Sequence, residues 1–135
     1  MKPGVAGGKN MLPKPEIIVS SEDYNQLYAL LDTLPDSKTT DLLVDELERA
    51  KVVSAEQLPE NVVSMYSQVT FTVLSTGKTF TCRLVYPHQA HERDALSILK
   101  PVGSAILGLS IGDVIEWPLE NNRQTLVRID RVVAC

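Results

Sequence analysis

The hydrophobic positions of this chain change rhythm once, near residue 54. Before that point they recur at helical intervals. Tyr24, Leu27, Leu31 and Leu34 follow at 3-4-3 spacing, and Tyr28 and Leu30 widen the stripe. That spacing lines one face of a helix. Ser20 or Ser21 offers an N-cap, Glu22 and Asp23 place acid in the first turn, and Pro35 marks the end. A short extended stretch, Ile17–Val19, precedes this helix. The polar turn Pro35–Asp41 follows it. Thr40 offers a cap for a second helix from Asp41 to about Val52, whose apolar face is Leu43, Val44, Leu47 and Ala50. Asp45 and Glu46 lie about one turn from Arg49 on the other side. Two amphipathic helices around a short turn predict an antiparallel, coiled-coil-like hairpin. Arms of about 13 residues would each span roughly 20 Å.

After residue 54 the period shortens to two. A connector with Pro59 near its middle leads into Val69, Phe71 and Val73, which alternate with Thr70 and Thr72. Ser75-Thr76-Gly77-Lys78 reads as a hairpin turn. The returning strand carries Phe80, Cys82 and Leu84 on one face. The stretch His88–Ala95 is polar and looped. Leu96–Lys100 reads as a short strand stopped by Pro101, which suits the first turn of a helix over Val102–Leu107. Gly108 ends that helix. The segments Asp113–Leu119 and Gln124–Ala134 supply the last strands. Four or five strands around one short helix make an α+β domain. The expected organisation is a flexible tail at 1–15, the hairpin at 16–53, a connector at 54–66 and the sheet domain at 67–135. The tail holds three Pro, three Gly and three Lys, and Met11 within it could serve as a second start.

Composition narrows the function. The formal net charge is −4 and the sequence pI is about 5.1. A broad basic footprint for nucleic acid is therefore not expected. No apolar run reaches the ~20 residues of a membrane span, and Pro and Gly interrupt the N-terminus where a signal peptide needs an apolar core. Cys82 and Cys135 have no metal-ligand spacing and read as free thiols in a reducing compartment. A cytoplasmic protein with a protein or small-molecule partner is the expectation.

Candidate chemistry is sparse. His88 and His91 have HxxH spacing, yet they follow Pro87 in a loop with no third ligand evident, so neither a metal nor a cofactor is expected. No nucleophile sits in an activating motif. Gly103, Gly108 and Gly112 flank a helix instead of preceding one, which fits backbone geometry and not a phosphate cradle. Asp32, Asp36 and Asp41 gather at the hairpin tip. They could hold Mg²⁺ if another protein completed its shell, or form a solvated turn.

The run Pro101-Val102-Gly103-Ser104-Ala105-Ile106-Leu107-Gly108, followed by Gly112-Asp113, resembles the C-terminal signature of the Gre transcript-cleavage factors. Pro59, Val62, Val63, Met65, Ser67 and Val69, then Leu84-Val85-Tyr86-Pro87, resemble more closely the branch of regulators of nucleoside diphosphate kinase. The resemblance runs from about Ile17 to Val133. It implies an FKBP-like C-terminal domain after a coiled-coil hairpin, and docking on core RNA polymerase near its secondary channel. In Gre factors a long hairpin carries two tip acids that help hold a catalytic Mg²⁺. The arms here are much shorter, so Asp32, Asp36 and Asp41 are not expected to inherit that role. Gre factors tend to read Asp-Ser-Pro before the helix, whereas this chain reads Leu99-Lys100-Pro101. The expected docking edge is Ile98, Leu99, Lys100 and Pro101. The expectation is a polymerase-binding regulator, not an enzyme, that affects nucleoside diphosphate kinase levels. The alternatives are a Gre-like cleavage stimulator and a prolyl isomerase; the latter needs an aromatic-lined pocket, for which few aromatic side chains are free.

Overall fold

The computed structural model describes residues 14–118 and 124–134. Most of the expected tail, Met11, Leu119 and Cys135 lie outside them. Lys14 and Pro15, assigned to the tail, are held against the second helix. The Lys14 ammonium lies 3.7 Å from Glu46, and the Arg49 guanidinium donates to the Pro15 carbonyl at 2.7 Å.

Strand β1 (Ile18–Ser20) leads into helix α1 (Ser21–Asp32), a five-residue turn and helix α2 (Lys38–Arg49), then strand β2 (Lys51–Val53), which pairs parallel with β1. Ser20 caps α1, its hydroxyl accepting from the Asp23 N–H at 3.1 Å. The cap of α2 is Ser37 and not Thr40. The Ser37 hydroxyl accepts from the Thr40 N–H at 3.2 Å, and the Thr40 hydroxyl accepts from the Ser37 N–H at 2.9 Å. Thr40 thus closes a reciprocal box from inside the helix, with threonine in the role usually taken by Glu or Gln. The helix also stops earlier than its pattern suggests. Lys51 donates to the Ile17 carbonyl at 2.9 Å, and β1 draws Lys51–Val53 into an extended pair.

The main sheet holds β3 (Gln68–Val73), β4 (Lys78–Val85), β5 (Ala95–Ser97), β6 (Val114–Pro118) and β7 (Gln124–Val133) in the order β5-β4-β3-β7-β6. Its neighbours run antiparallel except β4 and β5, which are parallel. The register of β3 with β7 shifts between Thr70 and Phe71, leaving Asp130 outside the ladder pairs. One sheet face is threonine-rich: Thr70 bonds Thr81 at 3.0 Å and Thr72 bonds Thr79 at 3.1 Å. The other face carries helix α3 (Pro101–Ile106).

A single core joins the two parts. Ile17, Val19, Leu27, Leu43 and Leu47 from the hairpin unit cluster with Val69, Leu84, Ile98, Ile106, Leu107 and Ile129. Most of these side chains are fully buried, each stabilising the fold by roughly 1.5–3 kcal/mol. Two glycines permit the close approach. A Cβ on Gly103 would lie 2.3 Å from the Ser97 carbonyl, so only glycine lets α3 lie this close to the end of β5. Gly108 has φ +82, and a Cβ there would stand 2.7 Å from the Ile17 Cβ. Its carbonyl accepts from the Ile18 N–H at 3.1 Å, while its own N–H donates to Val63 at 2.9 Å. The small residues of the Pro101–Gly108 run are therefore packing devices.

Candidate functional site

The loop before α3 is shaped by Ser97. Its carbonyl accepts from the Lys100 N–H at 3.0 Å and its hydroxyl from the Leu99 N–H at 3.1 Å. Pro101 then opens the helix, where its missing N–H costs no hydrogen bond. Ser104 sits below, its buried hydroxyl reaching the Ile98 and Lys100 carbonyls. Of the four residues expected at a docking edge, Ile98 is fully buried and packs the core, so no partner can touch its side chain. Leu99 is half-buried against the same core, and Lys100 and Pro101 are exposed.

Asp32 ends α1, Asp36 lies in the turn and Asp41 sits in the first turn of α2; all three are exposed. Each arm has twelve residues, or about 18 Å of helix. Among the described residues no group of three His, Cys, Asp or Glu side chains is placed to hold a metal ion. His88 belongs to a short 3-10 turn, Pro87–Gln89, and stacks on Tyr86 with ring centres 6.4 Å apart. His91 is exposed in the next loop.

Polar contacts fix the base of the hairpin to the sheet domain. The Asp23 carboxylate accepts from the Met65 N–H at 3.1 Å. Burial raises the Asp23 pKa above its ordinary 3.8, partly countered by that hydrogen bond. The Tyr86 hydroxyl donates to Gln26 at 3.0 Å, and burial, reinforced by Asp23, pushes its pKa well up. These contacts hold the orientation of the hairpin on the sheet domain.

A feature that the sequence pattern did not reveal lies on the inner sheet face beyond α3. Burial falls along β4 from Leu84 through Cys82 to Phe80, which is 46% exposed. An apolar groove of about 450 Å³ opens there, lined by Phe71, Val73, Phe80, Cys82, Leu96 and Val102. Phe71 and Phe80 are cross-strand partners with ring centres 5.6 Å apart. Cys82 does not make the groove reactive, because burial and the neighbouring Asp94 push its thiol up to about 11. The alternation places Phe80, Cys82 and Leu84 on one face, as observed. The turn read from the sequence at Ser75–Lys78 lies one residue earlier, at 74–77, with Val73 opposite Lys78, and it is this register that sets the two phenylalanines opposite each other.

Comparison with known proteins follows this division of the chain. Residues 58–132 match the C-terminal region of the transcription elongation factors GreA/GreB, and residues 15–53 match the Rnk N-terminus. The regulator of nucleoside diphosphate kinase from Escherichia coli (strain K12) is 36% identical over 124 residues, covering 87% of this chain and 89% of that protein. The same-named protein of Shigella flexneri matches equally. The elongation factor GreA of Helicobacter hepaticus is 33% identical over 76 residues, covering 56% of this chain and 47% of that one. Among solved structures, a prokaryotic transcription elongation factor GreA/GreB from Nitrosomonas europaea superposes with a TM-score of 0.72 at 45% identity, covering 89% of this chain and 99% of that one. These relatives are named as regulators and transcription factors, not enzymes. No helix among the described residues is long and apolar enough to cross a membrane. The mixed sheet with its small-residue helix, the short capped helix pair and these matches together place the chain in the GreA/GreB transcription factor family, with the regulators of nucleoside diphosphate kinase.

Proposed function

We propose that this chain is a cytoplasmic transcription regulator that docks on core RNA polymerase beside the secondary channel and does not stimulate transcript cleavage. The observation that carries this reading is the hairpin: two arms of twelve residues whose buried leucines share the core of the sheet domain. An arm of about 18 Å anchored in that way cannot extend its tip far from the docked body. Asp32, Asp36 and Asp41 then stay too far from a remote catalytic metal to complete its shell. The docking edge is Leu99, Lys100 and Pro101, and bound protein would exclude longer-armed factors from the same rim. Altered transcription is the route by which nucleoside diphosphate kinase levels change.

The test is a titration of the full chain against core polymerase, with and without a Gre factor as competitor. Mutual exclusion is expected, and Lys100→Glu and Pro101→Ala should weaken binding while leaving the fold intact. Leu99→Asp is the less clean variant because Leu99 also packs the core. Unchanged affinity in both exposed-site variants would discard this edge, and Asp36-dependent rescue of backtracked complexes would restore the cleavage reading.

The prolyl isomerase reading gains one observation, since both phenylalanines of the chain line a groove. It stays second because Phe80 is 46% exposed, which leaves the groove open to solvent on that side. A peptide isomerisation assay decides it.

A further inference from the structure

The chain enters the fold along α2. Going back from β1, the Ile17 carbonyl accepts from the Lys51 N–H at 2.9 Å, the Pro15 carbonyl accepts from the Arg49 guanidinium at 2.7 Å, and the Lys14 ammonium stands 3.7 Å from Glu46. The partners Lys51, Arg49 and Glu46 descend as Ile17, Pro15 and Lys14 do. The chain before Lys14 is therefore aimed along α2 toward the hairpin turn. Glu46 is buried, and its carboxylate is shared between Arg49 at 2.9 Å and Lys14.

The next residue on that helix face is Leu42. It stands four positions before Glu46, and Arg49 stands three after, which puts all three on one stripe. Leu42 is 44% exposed, and among the described residues no other large apolar side chain of α1 or α2 is left so open. From Glu46 to Leu42 is about 6 Å of helix. Two residues of extended chain, at roughly 3.3 Å each, cover that distance. Two residues before Lys14 is Leu12. Five before it is Lys9, whose extended reach of about 17 Å extends to the turn that holds Asp36. Residues 1–13 include two lysines and no acid, whereas α2 exposes Asp41, Asp45 and Glu48. An apolar residue and a cation thus fall in step with an exposed leucine and an acidic turn.

We infer that residues 9–13 run along α2 as a strap, with Leu12 packed on Leu42 and Lys9 beside Asp36. The inference stands apart from the polymerase-docking reading but bears on it. A lysine at the turn opposes any cation brought there, because like charges repel. The strap thus works against metal binding by Asp32, Asp36 and Asp41, and it takes Leu42 out of water.

Two measurements on the full chain test it. In the first, leucine methyl groups are isotope-labelled and the nuclear Overhauser effect between Leu12 and Leu42 is measured. A cross-peak that persists on dilution is expected, with the Leu12 methyl signals moving to unfolded-peptide positions in Leu42→Ser. Leu42 is exposed, so that variant folds. No cross-peak in wild type would overturn the strap. So would a cross-peak found only between differently labelled chains in a mixed sample, which would make a second copy the occupant.

In the second, Mn²⁺ alone is added at low salt, and broadening of the Asp36 and Asp41 amide signals is compared between wild type and Lys9→Gln. Broadening about threefold stronger in Lys9→Gln is expected, with the difference shrinking as salt rises. Equal broadening would overturn the placement of Lys9 at the turn. Neither readout involves polymerase, so failure of the docking reading leaves the strap standing.

Discussion

The two flanks of α3 meet their neighbours in opposite ways. Toward β5 and the hairpin unit, contact is as close as backbone allows: Gly103 lies against Ser97 of β5, Gly108 against Ile17, and the leucines of α1 and α2 fill the remaining space. Toward the β3–β4 turn, Val102 borders an open groove and Phe80 stays 46% exposed. Both flanks belong to the same sheet face and are similarly apolar. The difference teaches that apolar character does not determine closure. Closure came where small residues let backbones approach and where a second element, the β1–α1–α2–β2 unit, was available to cover the sheet. Among the described residues no such element lies over Phe80.

That contrast can be broken most sharply at Gly108. Alanine there adds a Cβ 2.7 Å from Ile17 at a φ of +82. A loss of roughly 2–4 kcal/mol is expected from strain and overpacking. Gly112 is the control, with φ +94 and open space around its Cβ; Gly112→Ala should cost only about 1 kcal/mol. Denaturant unfolding monitored by circular dichroism measures both. Equal losses would mean that the hairpin contact at Gly108 is not tight.

At the open flank the expected effect on stability is smaller. Phe80→Ala should change it by less than about 1 kcal/mol, because much of the ring already meets water. A loss of 3 kcal/mol or more, in the range of a buried Phe, would show that the groove is closed in solution.

The smallest effect is expected at Asp23. Burial raises its pKa in the folded state above the ordinary 3.8. A raised folded pKa stabilises the fold fully below the unfolded value, and that contribution is lost as pH rises through the folded value. Asp23→Asn keeps an acceptor for the Met65 N–H and has no charge to bury. The variant should therefore be at least as stable as wild type at pH 7, with a flatter stability profile from pH 3.8 upward. A clear loss at pH 7 would mean that the ionised carboxylate's hydrogen bond outweighs its burial cost.

Several elements were legible because their causes are local. The 3-4-3 spacing of Tyr24 to Leu34 made α1, the Val69–Val73 alternation made β3, and Pro101 and Gly108 bracketed α3. The misreadings share a different cause. Thr40 looked like a cap because its chemistry suits one, but Ser37 stands three residues earlier and makes Thr40 its partner. Lys51–Val53 continued a helical pattern until β1, far away in sequence, offered a strand to pair with. Ile98 looked like part of an exposed edge because its neighbours are exposed, yet its side chain enters a core assembled from both halves of the chain.

The sequence by itself determined the periods, caps and breaks, and with them the α+β class and the short hairpin arms. Those follow from backbone geometry over a few residues, which any short window contains. Only the tertiary structure decided that hairpin and sheet share one core, which loop side chains remain outside it, and where the apolar sheet face is left uncovered. Those outcomes depend on which surface meets which across dozens of residues, and an apolar side chain carries no mark of whether anything will arrive to cover it.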